Sequence, residues 1–381
     1  MRALLVCTIV LTSPAAFAYP QFQLSTGNVR CNQCHFSPSG GGLINGYGRS
    51  EAGDTISMGG DGSFLHGLWE PPKWLALGGD FRVAGLMVYQ KQDPTQAENH
   101  TDTTQFTAFP MQADLYAHVT VAERFSAYVS LGFRGATRPV DQTLASRLIS
   151  REHYLMWREG PTGWYARVGR FFAPYGLHLP EHTAFVDRFL GFDTLEETYN
   201  ASGGYISDEW ELHLTAFIPD FIAPPVGQGG RGAAARFEHR PLPWLAWGAQ
   251  ARVSVGSEDT TVQGGLIGKA YFDGPRIQLL AEVDLVRQTF KDAAPGRNQL
   301  AAYLGGAWFP IRGLMAQLML ERWDEDLARK GVARDALGAE LSWFPTAHVE
   351  LSLYGRYVML GTGSDDGSPS QVVLLQGHYY L

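Results

Sequence analysis

The chain has 381 residues, 45% of them hydrophobic and 12% aromatic, with 44 glycines and a formal net charge of −8. That charge is spread along the sequence with no basic tract, which excludes nucleic acid as a partner. After the N-terminus no apolar stretch approaches the roughly 20 residues a spanning helix needs, which excludes a helical membrane protein.

Residues 1–18 read as an export signal. Arg2 supplies the positive start, Ala3 to Thr12 are mostly apolar, and Ala16-Phe17-Ala18 is a small-residue cleavage site, so the mature chain is expected to begin at Tyr19. The apolar part is too short to serve as a transmembrane anchor. Of the three cysteines, Cys7 leaves with this segment, and Cys31 and Cys34 remain in the run Cys31-Asn32-Gln33-Cys34-His35. In an exported chain two cysteines can close a disulfide, here around a tight two-residue loop. C-x-x-C-H is also the attachment signature of c-type haem, and that reading accounts for all three residues. The thiols add to the haem vinyl groups, the spacer lets both sulfurs reach one face, and His35 supplies the proximal imidazole.

Residues 19–72 are expected to form a small monohaem cytochrome c-like domain. They are loop-rich, carry Gly40-Gly41-Gly42, and end at Pro71-Pro72, which stiffens a linker and cannot join a strand ladder. A unit of about 50 residues cannot rely on an apolar core alone, and a covalent haem would supply one. For the sixth iron position the candidates are Met58, in the flexible run Ser57-Met58-Gly59-Gly60, and His66, or neither.

From Trp74 the pattern changes to period two, so residues 73–381 are expected to form a β-barrel. Val349, Leu351, Leu353, Tyr357 and Met359 fall on one face and His348, Glu350, Ser352, Tyr354 and Arg356 on the other. Ile277, Leu279, Ala281, Val283 and Leu285 alternate with Gln278, Glu282, Asp284 and Gln288, with Leu280 and Val286 as exceptions. The same alternation marks residues 209–216 and 245–255. A soluble β-sandwich with one solvated face gives this pattern too, but these segments have the length of tilted spanning strands. Their ends also carry aromatic clusters such as Trp308-Phe309-Pro310 and Trp343-Phe344-Pro345, suited to interfacial girdles. Roughly sixteen such segments can be counted: 74–90, 104–121, 125–135, 150–158, 163–172, 196–207, 208–218, 231–240, 244–256, 262–273, 275–289, 298–310, 313–322, 334–344, 347–360 and 370–381. Short turns such as 273–275 and 310–313 are expected on the periplasmic side, and the longer stretches 91–103, 290–298, 323–333 and 361–370 outside.

Residues 174–195 do not read as a strand. Pro174 and Pro180 interrupt them, a short helix fits 183–190, and such an insertion is expected to fold inward and narrow the lumen. Within it, His178-Leu179-Pro180-Glu181-His182 matches the H-x-x-E-H order of some zinc peptidases. Pro180 disrupts the helix that chemistry needs, so a polar cluster lining the lumen is the better reading. The inward acids Glu209, Glu211, Glu282, Asp284 and Glu350 could form a cation-attracting wall, partly neutralised by Arg252 and Arg356, but ordinary solvation of the lumen is the better reading.

An export signal, one C-x-x-C-H, a small glycine-rich segment and a porin-sized barrel follow in that order. The chain thereby resembles the fused monohaem cytochrome c–porins, the family that includes outer-membrane iron oxidases. Thr26-Gly27, the Cys31–His35 run and Tyr47-Gly48-Arg49 carry the local similarity, and Cys31, Cys34 and His35 are the residues it transfers. The resemblance implies an all-β outer-membrane barrel with a small N-terminal c-type haem domain, one covalent haem c and contact with outer-membrane lipid. It also implies single-electron transfer between an extracellular donor or acceptor, iron among the possibilities, and a periplasmic c-type cytochrome or other redox carrier. The rival expectation is a diffusion porin whose haem segment only plugs or gates the pore.

Overall fold

The computed structural model describes residues 19–90, 102–133, 148–181, 183–193, 195–220, 230–292, 294–361 and 370–381. The segment 1–18, expected to be an export signal, and most of the loops expected at 91–103 and 361–370 lie outside the described residues, as does His182.

The period-two segments form sixteen antiparallel strands. They are β1 (Leu75–Gln90), β2 (Thr103–Ala122), β3 (Phe125–Phe133), β4 (Leu148–Ile149 and His153–Arg158), β5 (Gly163–Phe171), β6 (Thr198–Ile206), β7 (Trp210–Ile218) and β8 (Arg231–Leu242). The second half comprises β9 (Leu245–Val255), β10 (Asp259–Phe272), β11 (Ile277–Phe290), β12 (Arg297–Ile311), β13 (Leu314–Asp324), β14 (Arg334–Thr346), β15 (Val349–Leu360) and β16 (Ser370–Tyr380). The two pieces of β4 both pair with β3, so they are one strand with a short irregularity. Each strand pairs with its sequence neighbours, and β1 pairs with β16 from Asp80↔Tyr380 to Gln90↔Ser370, so the sheet closes and leaves no edge. Where Pro110 interrupts β2 the register against β1 shifts between Arg82 and Val83, because proline has no N–H for the ladder.

The alternation has the direction a membrane imposes. Leu285 is 58% exposed and its neighbour Asp284 is fully buried, and the same contrast separates Leu353 from Ser352. The greasy face points outward and the polar face into the lumen. A belt of Trp74, Phe125, Trp164, Trp247, Trp308 and Trp343 lies exposed at the short-turn end of the barrel, with ring contacts running Trp164–Tyr205–Trp210–Phe237–Trp247. This is the interfacial girdle of an outer-membrane barrel, and it contacts lipid. The short turns therefore mark the periplasmic rim and the longer connections the outer one.

Among the described residues, two segments fill the lumen. Residues 19–67 enter at the periplasmic rim and carry α1 (Gln21–Ser25) and α2 (Gly46–Glu51). Their buried apolar side chains are Leu24, Leu43 and Ala52, too few for a core, so the segment packs on the wall instead. The connection from β5 to β6 folds inward from the outer rim and carries α3 (Phe185–Arg188), shorter than the helix expected at 183–190. Its Tyr175, Leu177, Leu179, Phe185, Val186 and Phe192 pack on lumen-facing Leu280, Val286, Tyr303, Met319 and Trp323. Leu280 and Val286 broke the alternation for this reason: they are inward apolar residues that receive the folded-in loop.

Candidate functional site

Cys31–Gln33 form one 3₁₀ turn. Gln33 Oε1 accepts from the N–H groups of Val29 and Arg30 at 2.8 and 2.9 Å, and Asn45 Nδ2 donates to the Gln33 carbonyl at 2.8 Å. The His35 N–H donates to the Cys31 carbonyl at 3.1 Å, which holds Cys31, Cys34 and His35 on consecutive turns of backbone. Both thiols are free. The chain then reverses through Gly40, Gly41 and Gly42, all at positive φ (83°, 78° and 61°), so that Ile44 bridges His35. At Gly42 a Cβ would sit 2.8 Å from the Tyr128 hydroxyl, and at Gly48 it would run into the Cys34 carbonyl. Glycine at both places lets α2 and the wall close on the motif.

The wall holds this segment at many points. Tyr19 donates to Glu350 Oε2 at 2.7 Å, Lys269 Nζ to Gln23 Oε1 at 2.8 Å, and Arg167 Nη1 to Ser37 Oγ at 3.0 Å. Phe36 stacks on His118 with centroids 3.9 Å apart, and Leu43 sits among Tyr116, Tyr128, Tyr154 and Phe171. At the rim Arg30 pairs with Asp208 at 2.7 Å.

Cys31, Cys34 and His35 line a cavity of about 1270 Å³, counted to its open mouth. The walls are apolar at Phe22, Leu43, Ile44, Ala52, Leu177 and Phe344, and charged at Asp80, Arg82, Arg236, Lys269 and Glu350. Each of the three motif residues keeps some accessible surface. Burial nevertheless lowers His35 to about 4, against the smaller opposing effect of the Gly42 and Gly41 carbonyls, and it pushes Cys34 up to about 12 and Cys31 upward as well. The imidazole is thus neutral at pH 7, the form that binds iron, and the thiols are protonated.

Two orphaned groups bear on what the cavity fits. Arg82 is 3% exposed, lines the cavity, and its Nε has no hydrogen-bond partner. The Nδ1 of His35 is likewise buried without a partner. Asp80 and Glu350 face the Arg82 guanidinium and supply the anions a buried cation requires. Two thiols on one turn beside a neutral imidazole are the donor types that c-type haem attachment uses.

The other sequence-derived residues lie elsewhere. Met58 is 52% exposed, and its sulfur accepts from Trp343 Nε1 at 3.2 Å. His66 is exposed, 3.3 Å from the Tyr379 hydroxyl and edge-on to His348. Neither lines the cavity. The acidic wall also differs from expectation. Glu209 is exposed in a rim turn. Glu211 pairs with Arg236 and Arg240 at 2.7 and 3.0 Å, Glu350 holds Tyr19 and His378, and Glu282 and Asp284 hold the inward loop, so these carboxylates act as structural hooks. In the H-x-x-E-H run, His178 lines the cavity whereas Glu181 bonds Tyr354 and Thr183.

Arg82 escaped the sequence reading, whereas His178 was expected in a polar cluster lining the lumen and lies on the lumen cavity. The signal for Arg82 was an arginine on the inward face of β1 where the register shifts.

No protein-family model and no curated protein matches the chain. Solved structures do match. The anion-selective porin from Comamonas acidovorans aligns with TM-score 0.60 at 12% identity, over 81% of this chain and 99% of the porin. OprB of Pseudomonas putida aligns with TM-score 0.60 at 10% identity over 81% and 94%. The outer-membrane channel DcaP of Acinetobacter baumannii aligns with TM-score 0.56 at 14% identity over 81% and 97%. With the closed sheet and lipid-facing girdle, they define the class: an outer-membrane β-barrel of porin type.

Proposed function

We propose that this barrel is an outer-membrane electron conduit rather than an open pore. Cys31 and Cys34 would anchor a haem c as thioethers, His35 would bind its iron, and Arg82 would meet a propionate. A bound haem c supplies a one-electron ferric–ferrous couple.

The observation that carries the reading is the position of the motif: inside the lumen, toward the periplasmic rim, on a cavity that shares Tyr19 and Arg82 with a second one. That second cavity is lined by Leu86, Val88, Ser370 and Arg356 and extends toward the outer rim. Tyr19 and Arg82 thus stand between an outer vestibule and the motif. An extracellular donor or acceptor, iron included, would approach from the vestibule, and a periplasmic c-type cytochrome or similar carrier would dock at the rim where Arg30 and Asn32 surface. Arg236 and Lys269 stay paired with Glu238, which keeps the local charge balanced. A redox titration in proteoliposomes tests this. External donors should reduce the protein from the outer face and a soluble periplasmic-type cytochrome should reoxidise it from the inner one. Failure of either exchange would refute the conduit.

A second reading, a diffusion porin, is favoured by the solved neighbours, one of which is titled an anion-selective porin. Single-channel recording separates the two. A high, steady conductance of the full chain that is indifferent to haem would support the porin. Against it, residues 19–67 and the inward loop both occupy the lumen.

A further inference from the structure

We infer that the outer vestibule is a binding site for a neutral, compact, lipophilic carbonyl compound, the chemistry of a fully substituted quinone. As a binding site it stands on the lumen wall itself. As the place where the external redox partner is taken up it rests on the conduit reading above, and it narrows that partner to an organic carrier.

The wall of this cavity departs from the polar inner face found along the other strands. Leu86 and Val88 of β1 line it, whereas Met87 between them is 39% exposed on the outside. The ladders set these residues in rows. Leu86 pairs with Leu374 of β16, which pairs with Tyr354 of β15, and Val88 pairs with Val372, which pairs with Arg356. Phe109 of β2 faces the same space. On β11 the inward apolar residues Leu280 and Val286 are covered by the folded-in loop. Leu374 touches that packed cluster, but among the described residues Leu86, Val88 and Val372 belong to none, and they face the vestibule. Such a wall gains stability when an apolar body takes the place of the water against it.

The base of the strip supplies hydrogen bonding. Ser352 and Gln376 are 3% and 8% exposed, line the vestibule, and pair with each other across β15 and β16. Gln376 also pairs with Ala84 of β1, one inward row from Leu86. Successive inward rows lie about 7 Å apart, the scale of one substituted ring. Among the described residues neither side chain makes a hydrogen bond. A buried amide and hydroxyl without partners are costly, and both can donate to an acceptor oxygen. Charge, in contrast, is already matched. Asp80 and Glu350 face Arg82, Glu321 pairs with Arg356 at 2.9 Å, and Glu181 and Glu340 line the walls as well. An anionic ligand would meet these carboxylates, and a hydrated metal ion would meet arginines, leucines and valines. A carbonyl oxygen on an uncharged apolar body suits the strip and the free donors together, the usual division of labour in a small-molecule site.

The test uses duroquinone, a tetramethyl quinone with no ring hydrogen for a thiol to displace. Full-length protein is held in lipid nanodiscs, binding is read by equilibrium dialysis, and empty nanodiscs give the blank. Protein as isolated and the Cys31→Ser/Cys34→Ser variant are both measured, so a missing haem would defeat the conduit and leave this measurement intact. Duroquinone should bind at one site. Durene, the same body without oxygens, and tetramethylbenzoate, the same body with a carboxylate, should each bind about tenfold more weakly. Ser352→Ala combined with Gln376→Leu should erase the preference over durene. Leu86→Gln and Val372→Gln should weaken duroquinone and durene alike, by about tenfold. Barrel folding of each variant is checked by heat-modifiable migration. Duroquinone uptake no greater than the blank overturns the inference. So does durene or tetramethylbenzoate binding as tightly as duroquinone, or a set of folded variants that bind like wild type. The three probes on wild type decide the ligand class even where a variant does not fold.

Discussion

Glu282→Ala probes how firmly the inward loop is held. Glu282 Oε2 accepts the Leu177 N–H and its Oε1 accepts Gln250 Nε2, each at 2.8 Å. After truncation Gln250 keeps Asp284 through one of its two N–H groups, so its other N–H and, in the loop, the Leu177 N–H lose their acceptors. An unsatisfied buried group costs about 1–3 kcal/mol, which multiplies the open population of the loop by roughly 5- to 150-fold. Hydrogen exchange followed by mass spectrometry reads that population directly. Peptides spanning 172–181 should lose protection by this factor, and strands on the far side of the barrel, such as β2 and β3, should not change. Unaltered exchange at Gly176 and Leu177 would refute the view that these carboxylates anchor the loop.

Three further outcomes follow from the same geometry. Gly48→Ala drives a Cβ into the Cys34 carbonyl and should destabilise docking of residues 19–67 by about 1–3 kcal/mol, seen as faster limited proteolysis of that segment and a lower yield of covalent haem. Burial raises Cys34 to about 12, so in folded haem-free protein its alkylation by iodoacetamide at pH 8 should run roughly 10²–10³-fold slower than in the unfolded chain and speed up about tenfold per pH unit. Equal rates would contradict the buried placement. Arg82→Gln removes the buried cation nearest the proposed propionates and should lower the midpoint potential by tens of millivolts, because less positive charge favours the ferric state. An unchanged potential in spectroelectrochemistry would place the propionates elsewhere.

The barrel was legible because each strand lies between two solvents. Leu351 and Leu353 meet lipid while Glu350 and Ser352 meet the lumen, so the alternation is written locally and the strand expected at 347–360 appears as Val349–Leu360. Leu280 and Val286 looked like flaws in that pattern, and they record the docking of a segment about 100 residues away in sequence. What stayed illegible was long-range pairing. Tyr19 with Glu350, Gln23 with Lys269 and Leu177 with Glu282 are contacts no local pattern encodes. For the same reason Glu211, Glu282 and Glu350 read as a solvated acidic wall although arginines, a histidine and backbone amides engage them. No local pattern shows how deep the C-x-x-C-H motif lies in the lumen, or that Met58 and His66 lie away from its cavity.

In the proposed conduit, Cys31 and Cys34 would carry an iron porphyrin inside this barrel. Intact-mass analysis of full-length protein, isolated from a membrane whose host demonstrably matures c-type cytochromes, tests it most directly. The account predicts the polypeptide mass plus one covalently bound haem, lost when Cys31 and Cys34 are both replaced by serine. A mass equal to the bare polypeptide would contradict it.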